Sequence, residues 1–78
     1  MANRVNLLRP FQSKLRSLGF KLCMTEDTHR QYYKGDALVD LAVFEAGRAV
    51  GWMWNEEEQD YDEFGTVDEM VASIEELS

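Results

Sequence analysis

The apolar residues of this chain change their spacing twice, and those two changes limit what it can fold into more than any other feature. Val5, Leu8, Phe11, Leu15 and Leu18 recur at intervals of three and four, which places them on one stripe of a helix. From Phe20 the interval drops to two, the period of a strand, and at Val67, Met70, Val71, Ile74 and Leu77 it returns to helical spacing. The order read from this pattern is helix, strands, helix.

Within the first stripe Pro10 is the constraint, because proline in a helix interior removes a hydrogen bond and clashes with the preceding turn, at a cost of about 3 kcal/mol. In a first turn it is tolerated. Either Asn6 caps a helix running to Leu18 with Pro10 near its start, or a longer helix is kinked there; Gly19 stops it in both cases.

Phe20, Leu22 and Met24 alternate with Lys21 and Cys23 as a first strand, followed by the turn residues "TEDT". His29 to Lys34 forms a second, Tyr-rich strand, closed by the turn "KGD". Val39, Leu41 and Val43 alternate with Leu38, Asp40, Ala42 and Phe44, giving a third strand with one apolar face and one mixed face. In "FEAGRAV", Gly47 supplies the positive φ of a short hairpin loop, and Arg48 to Trp54 is the fourth strand. Thr66 and Glu69 then match a capping box, with Asp68 and Glu69 at the positive end of the helix dipole.

Two amphipathic helices laid across one apolar sheet face make a two-layer α+β domain: an N-terminal helix, a four-stranded antiparallel sheet and a C-terminal helix. With 78 residues, the whole chain, 1–78, is a single domain with one core. The lone cysteine, Cys23, cannot form an internal disulfide and is expected as a small buried hydrophobe in a reducing cytoplasm. No apolar run exceeds five residues, against the roughly 20 of a membrane helix, and the N-terminus lacks a signal-peptide stretch. Neither a membrane nor export is expected.

Charge separates along the chain. Residues 1 to 36 hold seven Lys or Arg against three acids, for +4, while residues 37 to 78 hold only Arg48 against twelve acids, for -11. That asymmetry calls either for compensation between the halves or for a charged partner.

Catalysis finds little support in the inventory. One His, one Cys and no glycine-rich phosphate loop leave Cys23 and His29 as the sole nucleophile and base pairing to consider, and a core cysteine beside a partly exposed histidine accounts for both. "DYDEFGTVDEMV" starts like a calcium loop with Asp60, Asp62 and Gly65, yet Phe64 and Val71 stand where two oxygen ligands belong. No metal or cofactor is expected, and the reading is non-enzymatic. Val50, Trp52 and Trp54 project from one strand face, as an aromatic platform or, the favoured reading, as core packing. Arg4, Arg9, Lys14, Arg16 and Lys21 read as a solvated face or a partner for the protein's own acids, because the overall charge of -7 opposes direct binding of nucleic acid.

"WNEEEQDYDEFGTVDEM", Trp54 to Met70, carries eight carboxylates in seventeen residues with no Lys or Arg. If extended, Glu56, Glu58, Asp60 and Asp62 point to one side about 6.6 Å apart, twice the strand rise and on the scale of successive phosphates. If helical, Glu56, Asp60 and Glu63 align. Either conformation presents a row of anions, whose mutual repulsion a basic partner would relieve. Trp54, Tyr61 and Phe64 interleave apolar anchors with them.

On Glu56 to Glu63 with Asp68 and Glu69, and in its general character, the chain resembles the small acidic phage-encoded anti-CRISPR proteins that act as DNA mimics. The resemblance implies an inhibitor that binds the basic nucleic-acid-binding surface of a CRISPR effector or similar DNA-handling protein in the host cytoplasm and blocks its target DNA. The partner-binding residues are then expected among Trp54, Glu56, Glu57, Glu58, Asp60, Tyr61, Asp62, Glu63, Asp68 and Glu69. The competing readings are a solvated acidic loop leading into a capped helix, and a housekeeping interaction module. The protein is expected as a monomer or a weak homodimer in which the basic helix of one copy meets the acidic edge of another.

Overall fold

The structure is a computed structural model and describes residues 4–44 and 47–77. A 3-10 turn, Arg4–Leu8, leads into α1, Arg9–Ser17. The strands β1, Lys21–Glu26, β2, His29–Lys34, β3, Ala37–Val43, β4, Ala49–Asn55, and β5, Asp60–Phe64, precede α2, Val67–Leu77. All five strands pair antiparallel in chain order, a meander of hairpins. Among the described residues no helix is long and apolar enough to cross a membrane.

The α+β class and both terminal helices agree with the sequence reading, but the sheet has five strands where four were expected. The additional strand is the acidic segment itself. Asp and Glu are poor strand formers and no glycine marks the turn before them, since the positive φ falls on Gln59 at 55°. What holds β5 in place is tertiary: Phe64 is buried at one end, and Tyr61 lies edge-on to Trp54 near the other.

Pro10 sits in the first turn of α1, where its missing N–H is one that the helix would leave unpaired anyway. The chain before it tightens into the 3-10 turn, so Asn6 does not cap α1; its Oδ1 accepts a bond from Arg9 Nη2 at 3.3 Å. At the other end Gly19, with φ 92°, lets the Phe20 amide reach Leu15 O at 2.9 Å and its own amide reach Arg16 O at 3.0 Å. That pair of bonds is a Schellman stop. The "FEAGRAV" turn includes Glu45 and Ala46, which lie outside the described residues; Gly47 has the expected positive φ, 75°.

Cross-strand pairing assigns the two faces of the sheet. Leu22, Tyr32, Val39, Met53 and Asp62 form one row on the helix side, and Arg30, Leu41, Gly51 and Phe64 the next. Against these pack Leu8, Phe11 and Leu15 from the N-terminal helical segment and Met70 from α2, with the Phe11 and Phe64 rings stacked at 6.3 Å between centroids. Each such side chain, fully buried, contributes about 1.5–3 kcal/mol. The Tyr32 hydroxyl, at the centre of the core, accepts a bond from Gln12 Nε2 at 3.0 Å and so ties α1 to the sheet.

Two expectations about the core are corrected. Cys23 is exposed: it is the extra residue of a bulge that interrupts the β1–β2 register between Leu22 and Met24. Because the bulge shifts the side-chain alternation by one, Leu22 stays on the helix side while Met24 turns to the opposite face. Trp52 and Trp54 are not core residues either. They share the face away from the helices, and the core side of β4 is Gly51, Met53 and Asn55. Volume at Gly51 explains the choice, because the Phe64 ring fills the space that a β-carbon there would occupy.

Candidate partner-binding face

Both helices pack on one side of the sheet, and no layer of the described residues covers the other. On that open side, pairing places Tyr33 opposite Leu38 and Trp54 opposite Tyr61. Extending the β3–β4 register by one residue from Val39 and Met53 brings Leu38 to Trp54, so the four form a band across the sheet. Trp54 is 39% exposed and Tyr61 57%, far more than aromatic residues of a packed core. The two rings meet edge-on at 5.0 Å and 69°, and Phe44 meets Trp52 likewise at 5.9 Å and 78°. Contiguous exposed aromatic surface of this kind marks a binding surface more often than scattered single residues do.

A second band runs parallel to it: Gln31, Asp40, Trp52, Glu63. Asp40 Oδ1 accepts from Gln31 Nε2 at 3.0 Å and lies 3.1 Å from His29 Nε2. His29 and Asp40 thus lie within ion-pair distance of each other. Beside them the surface dips into a depression of about 340 Å³ lined by His29, Asp40, Trp52 and Tyr61. A second recess, of about 610 Å³, opens next to Trp54 and is walled in part by Asp36, Glu56, Glu57 and Glu76, with no Lys or Arg among the described residues of its lining.

The structure divides the sequence-predicted site residues into four groups. Trp54, Tyr61 and Glu63 are on the open face, and the Trp54 indole donates to the Glu56 carboxylate. Glu56, Glu57 and Glu58 form the exposed β4–β5 turn together with Gln59. It is braced from below by Asn55, which is buried, accepts from the Glu58 amide at 3.2 Å and donates to Asp62 Oδ2 at 3.4 Å. Asp60 and Asp62 belong to the helix side of β5. Asp68 and Glu69 open α2, where Thr66 caps as expected: the Glu69 amide donates to Thr66 Oγ1 at 3.1 Å, while the returning Glu69 Oε1 accepts from the Gly65 amide at 3.2 Å, one residue before the cap, and from the Thr66 hydroxyl.

The evenly spaced row of anions expected for an extended or helical segment is therefore not formed. The chain reverses between Glu58 and Asp60, and within β5 alternate residues face opposite ways. The carboxylates nevertheless remain uncompensated. Among the described residues no Lys or Arg comes within ion-pair distance of Glu56 to Glu63, and the exposed cations of α1, Arg9, Lys14 and Arg16, belong to a helix without a single acid.

The pairing of Cys23 with His29 is not made: the Cys23 thiol donates toward Gln31 O at 3.4 Å, and His29 is bound to Asp40. Asp60 and Asp62 are held in a strand, which does not wrap a cation as a calcium loop does. The residues of this face that sequence reasoning did not single out are Gln31, Tyr33, Leu38 and Asp40; His29 was weighed only as a base for Cys23, and Trp52 was read as core in preference to an aromatic platform. Their signal was the mixed face of β3, with Leu38 beside Asp40, and the second tyrosine of β2, Tyr33, which alternation puts opposite the buried Tyr32.

Comparison with family models, with curated proteins and with solved structures yields no match to this chain.

Proposed function

We propose that this protein is a non-catalytic acidic inhibitor. It docks the open aromatic face of its sheet, with the adjoining carboxylates, on the Lys- and Arg-lined surface by which a nucleic-acid-handling protein holds DNA or RNA. The mimicry is electrostatic, a dense negative field around aromatic anchors, rather than a phosphate-by-phosphate copy. The supporting observation is that Glu56, Glu57, Glu58 and Glu63 stand beside exposed Trp54 and Tyr61 with no Lys or Arg in ion-pair reach among the described residues. Carboxylates steer a basic partner into encounter, and buried Trp and Tyr side chains supply the binding energy. A CRISPR effector is the partner that the resemblance of the chain suggests.

Capture of host proteins at low ionic strength, with elution in rising salt, tests this. The proteins retained should bind nucleic acid, should release it when this protein is added, and should lose affinity for the variant carrying Glu56→Lys, Glu58→Lys and Glu63→Lys. Retained proteins that keep their DNA would sink the proposal.

One observation favours a second reading. The band Tyr33, Leu38, Trp54 and Tyr61 is apolar enough to pack against its own copy, making a face-to-face homodimer. A doubled mass in sedimentation that persists in high salt supports that reading, since apolar packing does not weaken with ionic strength.

A further inference from the structure

We infer that the depression between Asp40 and Trp52 is a receptor for the guanidinium group of an arginine on the partner protein, an inference that rests on the open face being the docking surface. Cross-strand pairing makes Asp40 on β3 and Glu63 on β5 the two neighbours of Trp52, and Asp40 shares the lining of the depression with it. A cation in the depression is attracted by the ring and by Asp40, with Glu63 adding to the field from the next strand, whereas an anion is repelled. A neutral apolar group would strip water from Asp40 and offer it no bond in return.

The Asp40 carboxylate is held ready for such a cation. Its Oδ1 is engaged by Gln31 and His29, which fixes the plane of the group, while Oδ2 has no bond among the described residues. The Asp40 side chain is 20% exposed, so it is reachable yet partly shielded from water. Guanidinium meets both demands of the site, because it is flat, stacks on an indole and presents parallel N–H donors to a carboxylate oxygen. An ammonium group meets only the demand for charge. The depression of about 340 Å³ takes the head of an arginine, with Tyr61 as the wall beyond Trp52. A second copy of this chain is the competing occupant, offering exposed Arg9, Arg16 or Arg48.

The test is a titration of isotope-labelled protein with an arginine-rich peptide and with its lysine and citrulline counterparts, followed by NMR at the Trp52 indole N–H and the amides of His29, Gln31 and Asp40. The arginine peptide should move these signals, the lysine peptide should bind several-fold more weakly at equal charge, and the citrulline peptide should leave them in place. Asp40→Asn, which keeps an oxygen for Gln31, should lower arginine-peptide affinity about tenfold, the loss of one charge-assisted bond. Its unfolding transition should stay cooperative, with at most a small fall in midpoint from the weakened contact to His29. Equal binding of arginine and lysine peptides, with shifts confined to Glu56–Glu58, overturns the receptor and leaves the charge-based docking surface standing. Binding of neither peptide removes both. Self-association that shifts the same signals without peptide makes a second copy the occupant and overturns the assignment to a foreign partner.

Discussion

Phe64 lies in the space that a side chain at Gly51 would fill, directly across the β4–β5 ladder from it. The same ring stacks on Phe11 of α1, so one aromatic side chain joins the outermost strand, the glycine of its neighbour and the N-terminal helix. Gly51→Ala puts a methyl into that ring and 3.0 Å from the Asp40 carbonyl oxygen. The expected cost is about 1–3 kcal/mol of overpacking, measured by urea unfolding. Gly51→Ala combined with Phe64→Leu should cost less than the two single changes together, because the smaller side chain gives back the space.

The cap at Thr66 gives a second check. Thr66→Ala leaves the Glu69 amide without its partner and should destabilise the domain by about 1 kcal/mol, with loss of protection from hydrogen exchange confined to the first turn of α2. Equal loss across the sheet would show that α2 is not a separable element.

Asn55 is the buried polar side chain under the acidic turn. Asn55→Ala removes its bonds to the Glu58 amide and to Asp62, and should cost about 1 kcal/mol while speeding exchange at Glu58. The Trp54–Tyr61 contact, above the turn on the opposite face, should survive and keep the tryptophan emission of the parent protein.

Charge reversal at the turn should stabilise rather than destabilise. Glu57→Lys lies next to Glu56 and Glu58 and touches no buried group, so relief of repulsion should raise stability by a few tenths of a kcal/mol at low ionic strength. The gain should vanish in strong salt. A loss of stability at low salt would mean that the acids are compensated in solution, contrary to the field on which the proposed docking depends.

On the open face, Trp54→Ser should leave the fold intact, since the core cluster does not include Trp54. Loss of its edge-on contact with Tyr61 should cost about 0.5–1.5 kcal/mol in thermal unfolding, and binding of any basic partner should fall far more. A collapse of the fold would return Trp54 to the structural role that its spacing first suggested.

Spacing and capping alone determined that a helix stands at each end of a run of antiparallel strands, the stop of α1 at Gly19, the start of α2 at Thr66 and the positive φ at Gly47, because these depend on residues within a few positions of one another. The chain also carried its charge asymmetry in plain view. Which side of β4 faces the helices was not legible. A strand whose alternate residues are Val, Trp, Trp on one side and Gly, Met, Asn on the other offers two candidate cores, and bulk favours the wrong one.

Tertiary structure decided that choice, through the fit of Phe64 over Gly51 and the buried bonds of Asn55. It decided likewise that the acidic segment turns at Glu56–Gln59 and returns as β5, since a strand of weak propensity forms only where a neighbouring ladder and a buried anchor hold it. The bulge at Cys23 is of the same kind, a one-residue shift in pairing that no local pattern announces. Local order follows from near neighbours along the chain, but the side of a sheet that stays open, and with it the candidate site, depends on volumes contributed by residues far apart in sequence.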